Sequence, residues 1–300
     1  MDSSNAKTKN YKLKILITGP EGNIASSLIK DLNKKIIIYS ISSKKIKKNK
    51  RIFKNHIYCG SYSRLKNFLI KSNPNIIIHL STKWKKFDDE ENKDLIDNNI
   101  TFSSYLLDIC SKLKTKLFLN FGSYTQLNSK GNYKPFNFYS ASKESFSNIL
   151  YYFYITKQIK VINLRIMNVY GIKHDNRIVN YIFQHIKENK KNIKINDLDA
   201  YVDLIHIKDV VSGIITIINQ KNLKIYKDFS YDLSSKKQLK LNELIKIIEK
   251  ISKYKFHNIT SKKTFKEYLK IPYRDKRLIK WDSKISLYKG LKMNYDLFFP

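Results

Sequence analysis

The sequence has little of what disulfide-stapled or membrane-spanning chains need. Its 300 residues include two cysteines, five prolines and eight glycines. Cys59 and Cys110 allow at most one bridge, which excludes a disulfide scaffold and suits a reducing compartment. No Pro- or Gly-rich linker and no internal repeat divides the chain. No run approaches the ~20 apolar residues of a membrane span, and the polar start lacks the apolar core of a secretory signal. We therefore expect a cytoplasmic protein without a membrane segment.

Acidic residues are also scarce. Asp and Glu number 25 against 58 Lys and Arg, which gives a formal net charge of +33. Such an excess occurs in nucleic-acid-binding proteins. Here the basic residues are mostly Lys and are spread along the chain beside abundant Ile, Asn and Tyr, as an AT-rich coding sequence would produce. The densest run, Lys44–Arg51, is typical of a solvated loop. We therefore expect no specific nucleic-acid partner.

Apolar residues make up 42% of the chain, enough for a sizeable core. In the first half, short β-branched runs alternate with helical patterns, which predicts an α/β protein with a doubly wound parallel sheet. The predicted strands are Leu13–Thr18, Ile36–Tyr39, Asn75–Leu80, Lys116–Asn120 and Val161–Leu164. The predicted helices are Asn23–Leu32, Leu95–Leu113, Tyr139–Tyr154, Ile178–Glu188, Val210–Ile218 and Leu241–Ser252. We expect residues 11–170, joined by 200–235, to form the sheet domain, and 171–300 to form mainly a small C-terminal substrate-binding lobe.

The first strand passes into the first helix through a turn with two glycines. Glycines there let the backbone approach a pyrophosphate, and the helix N-terminus offers free N–H groups and a positive dipole end. The alternative is an ordinary strand–helix turn, since the spacing departs from G-x-G-x-x-G. Its place in the first strand–helix unit favours a dinucleotide site. The predicted cofactor-binding residues of this turn are Thr18, Gly19, Gly22, Asn23 and Ile24.

The end of the second strand helps to choose the cofactor. An Asp or Glu there would hydrogen-bond the ribose 2′-OH of NAD. This chain has no acid there, and the hydroxyl and ammonium groups of Ser42, Ser43 and Lys44 suit a 2′-phosphate. The alternative is a Lys-rich loop that reflects codon bias. We therefore favour NADP(H) and leave NAD(H) open.

Tyr139 and Lys143 lie four residues apart, on one face of a predicted helix. A neighbouring ammonium favours a phenolate, so we expect Lys143 to bring the pKa of Tyr139 towards working pH. Lys143 is also placed to hydrogen-bond the nicotinamide ribose. Ser123 follows the strand before this helix, at the edge where ligands bind in such sheets. Its predicted role is to hold the substrate oxygen; the alternative is a turn serine.

Several ordered motifs together resemble the extended short-chain dehydrogenase/reductase family, in its NAD-dependent epimerase/dehydratase group. The similarity runs from Thr18 to the C-terminus. The matching segments are the turn Thr18–Ala25 (T-G-x-x-G-x-I-G/A), His79–Thr82 (H-L-A-A), Asn98–Ile100 (N-V), Tyr139–Lys143 (Y-x-x-x-K), Leu164–Gly171 (L-R-x-x-N-V-Y-G), Asp203–Val210 (D-F-V-H-V-D-D-V) and Ile279–Leu287 (G-W-x-P-x-x-x-L).

The resemblance implies a Rossmann-type fold and a nucleotide-sugar substrate. By the same resemblance, Leu80 and Ser81 line the dinucleotide, Asn99 is the structural active-site asparagine, and Asn168 contacts the substrate's diphosphate. It also implies a homodimer built on the helices near 95–113 and 139–154. No metal site is expected.

Departures from the family pattern narrow the expected reaction. Dehydratases of the family carry Asp-Glu after the catalytic Thr, whereas this chain has Tyr124-Thr125. Ser61 stands where many members have an adenine-binding Asp, and Val202 replaces an Arg that contacts the diphosphate, which leaves Arg274 to supply that charge.

We expect a reductase of a 4-keto-6-deoxy sugar nucleotide, with NADPH as the hydride donor. The alternatives are a nucleotide-sugar 4-epimerase, which also needs Ser123, Tyr139 and Lys143, and a non-catalytic dinucleotide-binding protein.

Overall fold

The computed structural model describes residues 12–46, 49–84, 91–172, 175, 177–261 and 270–299. Its strands are β1 (Lys14–Thr18), β2 (Ile37–Ser42), β3 (Ile52–Ile57), β4 (Ile76–His79), β5 (Leu117–Ser123), β6 (Val161–Ile166), β7 (Asn168–Tyr170), β8 (Asn192–Ile195), β9 (Tyr201–His206), β10 (Ser230–Leu233), β11 (Gln238–Lys240), β12 (Asn258–Ser261) and β13 (Lys276–Arg277). Eight of them form one sheet in the order β13-β10-β6-β5-β4-β1-β2-β3. Every neighbouring pair in this sheet is parallel.

The chain winds outward from β1 in two directions. It first adds β2 and β3 on one side and then returns to add β4, β5 and β6 on the other. The reversal falls between β1 and β4, and in open α/β sheets ligands bind in the crevice beyond the carboxyl ends of the strands at this point. Thr18 and His79 end the two strands and are paired in register. The predicted Rossmann-type doubly wound parallel sheet is confirmed.

Helices cover both faces of the sheet. They are α1 (Asn23–Asp31), α2 (Tyr62–Ser72), α3 (Lys93–Leu95), α4 (Ser103–Ser111), α5 (Phe138–Ile155), α6 (Ile178–Lys187), α7 (Ile207–Ile218), α8 (Leu241–Ser252) and α9 (Leu287–Phe298), with a π-helix over Ile96–Phe102. Alternate side chains of β1 enter the two cores. Ile15 and Ile17 pack with residues of α1 and α7, whereas Leu16 packs with residues of α2, α4 and α5. None of the helices in the described residues has both the length and the apolar character needed to cross a bilayer.

Two differences from the predicted boundaries affect the site. The second strand continues three residues past Tyr39 to Ser42, because β3 pairs with it as far as Ser42. The predicted helix over Leu95–Leu113 contains the wider π-helical segment before α4 begins.

The C-terminal half builds a second core away from the main sheet. Strands β11, β9 and β7 form a three-stranded sheet, and β12 pairs with β8. Apolar residues of α6, α8 and α9 pack together there, among them Ile182, Leu244 and Leu291. The strands β10 and β13 nevertheless belong to the main sheet. The exact division at residues 170–171 stays a prediction.

Two buried carboxylates attach the C-terminal segments. Asp203 accepts hydrogen bonds from the backbone N–H groups of Ser235 (3.0 Å) and Lys236 (3.1 Å) and from the Tyr273 hydroxyl (2.6 Å). Asp209 accepts from the N–H groups of Lys284 and Ile285, each at 3.0 Å. The acids of the Asp203–Val210 motif therefore act as structural anchors.

Candidate active site

The glycine turn lies against the chain that follows β4. Gly19 has a φ of +64°, and a Cβ there would lie 3.0 Å from the Ser81 Cα. Glycine is needed on both counts. Gly22 precedes α1, and this helix has no side-chain cap. Its first-turn N–H groups are therefore available to a phosphate. The same contact brings Ser81, and Leu80 before it, to the turn.

A buried histidine holds these strands in place. His79 Nδ1 lies 2.9 Å from Thr18 Oγ1, and its Nε2 lies 2.8 Å from Ser103 Oγ. Thr18 Oγ1 in turn accepts the Ser81 N–H at 2.9 Å. Burial, aided by the nearby Lys143 ammonium, lowers the pKa of His79 to about 3. The imidazole is therefore neutral and has a structural role. Thr18 contributes to the site by joining the end of β1 to the end of β4.

Of the residues predicted to bind the adenosine end of the cofactor, two are hydrogen-bonded within the protein and two are exposed. The Ser42 hydroxyl is buried; it donates to the Lys44 carbonyl (2.7 Å) and accepts from Asn55 Nδ2 (3.0 Å). Ser61 caps α2 by accepting the Arg64 N–H at 3.3 Å. Both hydroxyls thus serve local structure. Ser43 and Lys44 are exposed beyond the strand.

Asn99 makes four hydrogen bonds within the protein. Its Oδ1 accepts from the Thr82 hydroxyl (3.1 Å) and the Lys83 N–H (2.8 Å). Its Nδ2 donates to the Lys83 carbonyl (3.0 Å) and to Ser142 Oγ (2.9 Å). Asn99 lies in the π-helix and is buried. It therefore ties the segment after β4 to α5, as a structural asparagine would.

Tyr139 lies in the first turn of α5, and its side chain is hydrogen-bonded to that of Thr82. Burial raises the pKa of Tyr139, opposed by the Thr82 hydrogen bond and by the charge of Arg177. The expected direction is therefore wrong for this structure, because desolvation has the largest effect and the positive charge that opposes it is that of Arg177, not that of Lys143. Lys143 is itself buried, and burial lowers its pKa to about 8.

Ser123 ends β5 and caps the 3₁₀ turn Tyr124–Gln126. Its hydroxyl lies 2.7 Å from that of Thr125, which accepts a hydrogen bond from Ser140 at 2.8 Å. Ser140 follows Tyr139 on α5. The end of β5 and the first turn of α5 are thus joined through side chains.

The residues predicted for the substrate lie apart from one another in sequence and differ in burial. Asn168 Oδ1 accepts the Tyr124 hydroxyl at 3.0 Å, while its buried Nδ2 has no partner within the described residues. Arg274 is exposed, with its Cβ 4.0 Å from the position a Cβ would take on Gly131. The neighbouring Asp275 pairs with the buried Arg165 at 2.9 Å.

Arg177 was not predicted as a site residue. It donates to the Val169 carbonyl at 3.0 Å, and its charge lowers the pKa of both Tyr139 and Tyr124 against the larger effect of burial. It belongs to no motif of the sequence, so only its position in the fold reveals it.

The chain belongs to the NAD dependent epimerase/dehydratase family, whose model matches residues 15–230. Its members are enzymes of nucleotide-sugar chemistry. CDP-abequose synthase of Salmonella typhimurium is 27% identical over 225 residues, which are 72% of this chain and 73% of the relative.

Solved structures show the same fold at lower identity. The UDP-glucose 4-epimerase of Thermotoga maritima with UDP-glucose has a TM-score of 0.80 at 19% identity, covering 96% of this chain and 99% of the other. The Thermus thermophilus UDP-glucose 4-epimerase with NAD has a TM-score of 0.79 at 15% identity, with coverages of 96% and 99%. The family expected from the motifs is confirmed.

Proposed function

We propose that this enzyme reduces the carbonyl of a nucleotide-linked 4-keto-6-deoxy sugar with NADPH. One observation carries the proposal. The first turn of α5 contacts both sides of the crevice, since Tyr139 meets Thr82 after β4 and Ser140 meets Thr125 after β5. We therefore place the proton donor, Tyr139, between the glycine turn and Ser123.

The residues present fit a nicotinamide dinucleotide. A side chain on Gly19 would fill the space beside Ser81, and the first turn of α1 is uncapped. Lys143 is a buried cation one helical turn from Tyr139, and we assign it to the nicotinamide ribose. The dinucleotide, when bound, supplies the hydride. The chain's own groups bind it, exclude water and provide the proton.

We assign Tyr139 as the proton donor for reduction. A phenol with the usual pKa of about 10 is protonated at neutral pH, and burial raises the pKa of Tyr139 further. With the hydride supplied by the bound dinucleotide, Tyr139 would give its proton to the carbonyl oxygen, so that the C=O would become CH–OH and the phenolate would remain. Ser123 holds the same oxygen. Water then restores the phenol.

Dehydration is not supported at this site. Expelling water from a sugar requires an acid and a base next to the reacting carbons. Residues 123–126 contain no carboxylate, and the Tyr124 hydroxyl is bonded to Asn168. The nearby Glu144 is hydrogen-bonded to Gln126 Nε2.

Three groups are assigned to the diphosphate of the substrate. The Asn168 Nδ2 group is buried without a partner in the described part of the chain, so it has a free donor. Arg177 brings positive charge towards both tyrosines, and Arg274 is exposed beside the 128–136 loop. The two arginines offset the charge lost at Val202.

The preference for NADPH rests on Ser43 and Lys44. Both are exposed past the end of β2, where no carboxylate repels a 2′-phosphate. The structurally similar Thermus enzyme was solved with NAD. NAD is therefore the alternative that the assay must distinguish.

The test begins with mass spectrometry of the ligand that co-purifies with the enzyme. Turnover is then followed with 4-keto-6-deoxy hexoses linked to CDP, dTDP or UDP, with NADPH and with NADH. We expect stoichiometric loss of NADPH. Tightly retained NAD with interconversion of UDP-sugars and no net turnover would instead identify a 4-epimerase.

Tyr139→Phe tests whether Tyr139 is needed for turnover but not for dinucleotide binding. We expect it to abolish turnover and to leave dinucleotide affinity nearly unchanged, because it removes only the proton donor. Tyr151→Phe, an exposed tyrosine on the same helix, is the matched control. Dinucleotide binding with full turnover in Tyr139→Phe would rule out the mechanism.

A homodimer in the cytoplasm completes the proposal. Exposed apolar side chains support the dimer on the helices expected to form it: Tyr152 (54% exposed), Ile155 (53%) and Ile96 (43%). Cys59 and Cys110 are free thiols, as a reducing compartment would keep them.

A further inference from the structure

Three hydroxyl groups form a chain that leads away from the proposed reaction centre. Ser123 Oγ lies 2.7 Å from Thr125 Oγ1, and Thr125 Oγ1 lies 2.8 Å from Ser140 Oγ. Ser140 Oγ lies 2.9 Å from Asn137 Oδ1. Asn137 Oδ1 also accepts the Ser140 N–H at 3.0 Å as the cap of α5, so it can act only as an acceptor.

The hydrogens of these three hydroxyl groups can take two arrangements. In the first, every O–H points towards Asn137, and the Ser123 oxygen is left to accept a hydrogen from a ligand. In the second, Ser140 donates to Thr125, Thr125 donates to Ser123, and Ser123 donates to the ligand. Only rotations about C–O bonds convert one into the other, so no covalent bond breaks and no net proton moves. Ser140 is fully buried, which keeps water from replacing it.

The two arrangements match the two oxidation states of the proposed substrate. A carbonyl oxygen only accepts hydrogen bonds, whereas the hydroxyl formed by reduction also has a hydrogen to donate. We infer that Thr125 is a positioning residue that, together with Ser140, switches Ser123 between donor and acceptor. Ser123 can then bind both the keto substrate and the hydroxyl product. This inference rests on the proposed function, because it assumes that Ser123 faces the sugar oxygen.

Thr125→Val tests the switch because valine keeps the shape and removes the hydroxyl. With a 4-keto ligand, Ser123 still donates to the carbonyl, so affinity should change by less than about twofold. When a 4-hydroxyl ligand donates to Ser123, the hydrogen of Ser123 lacks a partner in this variant. Ser123 is half-buried in the free protein, and once the sugar covers it an unsatisfied donor lowers affinity roughly 5- to 150-fold. A role in fastening the turn alone would weaken both ligands equally.

The probes are a nucleotide-linked 4-keto-6-deoxy hexose and the matching 6-deoxy hexose with a hydroxyl at C4. Both carry the base that the wild-type enzyme accepts among CDP, dTDP and UDP. Their binding is measured by calorimetry with the dinucleotide present. Ser140→Ala should show the same selective loss, since it leaves the Thr125 hydrogen without an acceptor. Thr125→Ser keeps the hydroxyl and should bind both ligands as the wild-type enzyme does.

The outcomes separate this inference from the proposed function. Selective loss of the hydroxyl ligand in Thr125→Val and Ser140→Ala, with rescue in Thr125→Ser, supports the switch. Equal loss of both ligands, or no loss, overturns the switch and leaves the reductase proposal intact. A wild-type enzyme that binds the dinucleotide and neither sugar overturns the proposed function itself. Dinucleotide affinity identifies any variant that fails to fold, in which case the other variant decides.

Discussion

The acidity of Tyr139 is set by groups that lie outside its own helix. Burial raises its pKa, and the two opposing influences come from Thr82, after β4, and from Arg177, before α6. The Thr82 hydroxyl lies 3.1 Å from Asn99 Oδ1 and donates to it when it is not donating to the phenolate of Tyr139. The pKa of Tyr139 therefore depends on two other segments, the one after β4 and the one before α6.

Removing the Thr82 hydroxyl should make Tyr139 still less acidic. We expect Thr82→Val to raise the pKa of Tyr139, because the lost hydrogen bond lowers that pKa in the intact protein. NMR titration of ring-labelled tyrosine, with Tyr139→Phe to assign the signal, measures the change. Thr216→Val, which removes a hydroxyl bonded to the Ser212 carbonyl in α7, should leave the signal in place. A fall in the Tyr139 pKa on loss of Thr82 would contradict the assignment.

Lys143 should reduce stability in the absence of ligand. Burial lowers its pKa from 10.5 to about 8, so between these values the unfolded chain binds more protons than the folded one. The free energy of unfolding should therefore rise with pH across this window. Lys143→Met should stabilise the protein at pH 7 by at most ~3 kcal/mol, abolish turnover, and lose the pH-dependent gain.

Denaturant unfolding at pH 7 and at pH 10 measures this difference. The exposed Lys71→Met is the control and should change neither value appreciably. A Lys143→Met variant that is less stable than wild type at pH 7 would show that the ammonium has a compensating partner.

Motifs in the sequence predict Ser123, Tyr139 and Lys143 as site residues, because their spacing relative to strands and helices carries that information. The effects of Thr82 and Arg177 on Tyr139 did not follow from spacing. They depend on which segments meet in space. For the same reason the predicted direction of the Tyr139 pKa shift is wrong. The four-residue spacing between Tyr139 and Lys143 does not show how deeply the phenol is buried.

At the scale of elements, the turn between β1 and α1 combines two separate demands on glycine. Gly19 has a positive φ and also lies against Ser81, whereas Gly60 has a positive φ (+83°) with no atom within 4 Å of an added Cβ. The first position requires both the backbone conformation and the absence of a side chain. The second requires only the conformation.

Alanine at Gly19 and at Gly60 should separate the backbone strain of a positive φ from the contact with Ser81. Gly60→Ala should cost about 1–2 kcal/mol of stability, the usual penalty for a left-handed residue. Gly19→Ala should cost more and should sharply weaken dinucleotide affinity, because its Cβ would press on Ser81 where the pyrophosphate is expected. Thermal unfolding and dinucleotide titration measure the two effects. Equal dinucleotide affinity in both variants would place the cofactor elsewhere.

Helix positions were well predicted where an apolar stripe was continuous. The helix Leu241–Ser252 was predicted with the observed bounds. The helix predicted to begin at Val210 begins at Ile207, because the His206 ring caps it by accepting the Lys208 N–H at 3.2 Å. The π-helix before α4 has no signal in the pattern. It places Asn99 against α5, and that requirement comes from tertiary contact.

At the scale of the whole molecule, the exposed apolar side chains of α5 remain to be covered. Neighbouring aromatic rings extend this surface, with Tyr151 lying 5.2 Å from Phe229 between ring centroids. A second copy of the chain would bury them, and apolar burial contributes ~25 cal/mol per Å². The dimer stays a prediction that sedimentation can decide.

Analytical ultracentrifugation should give about twice the chain mass of 35.6 kDa. Tyr152→Glu combined with Ile155→Glu should shift the protein to monomer, since two buried charges would face the interface. Phe53→Glu is the control, because Phe53 is 71% exposed on the edge strand β3. A wild-type monomer, or a double variant that stays dimeric, would refute the proposed surface.

The sequence by itself determined the class of fold, the glycine turn and the identity of the motif residues, because periodicity and short-range spacing are properties of the chain alone. Tertiary structure decided which of these side chains are free to act. The hydroxyls of Ser42 and Ser61 serve local structure, Asn99 is fully used in holding Lys83 and Ser142, and burial raises the pKa of Tyr139. Desolvation and hydrogen-bond satisfaction are sums over neighbours in space, and only the folded chain brings those neighbours together.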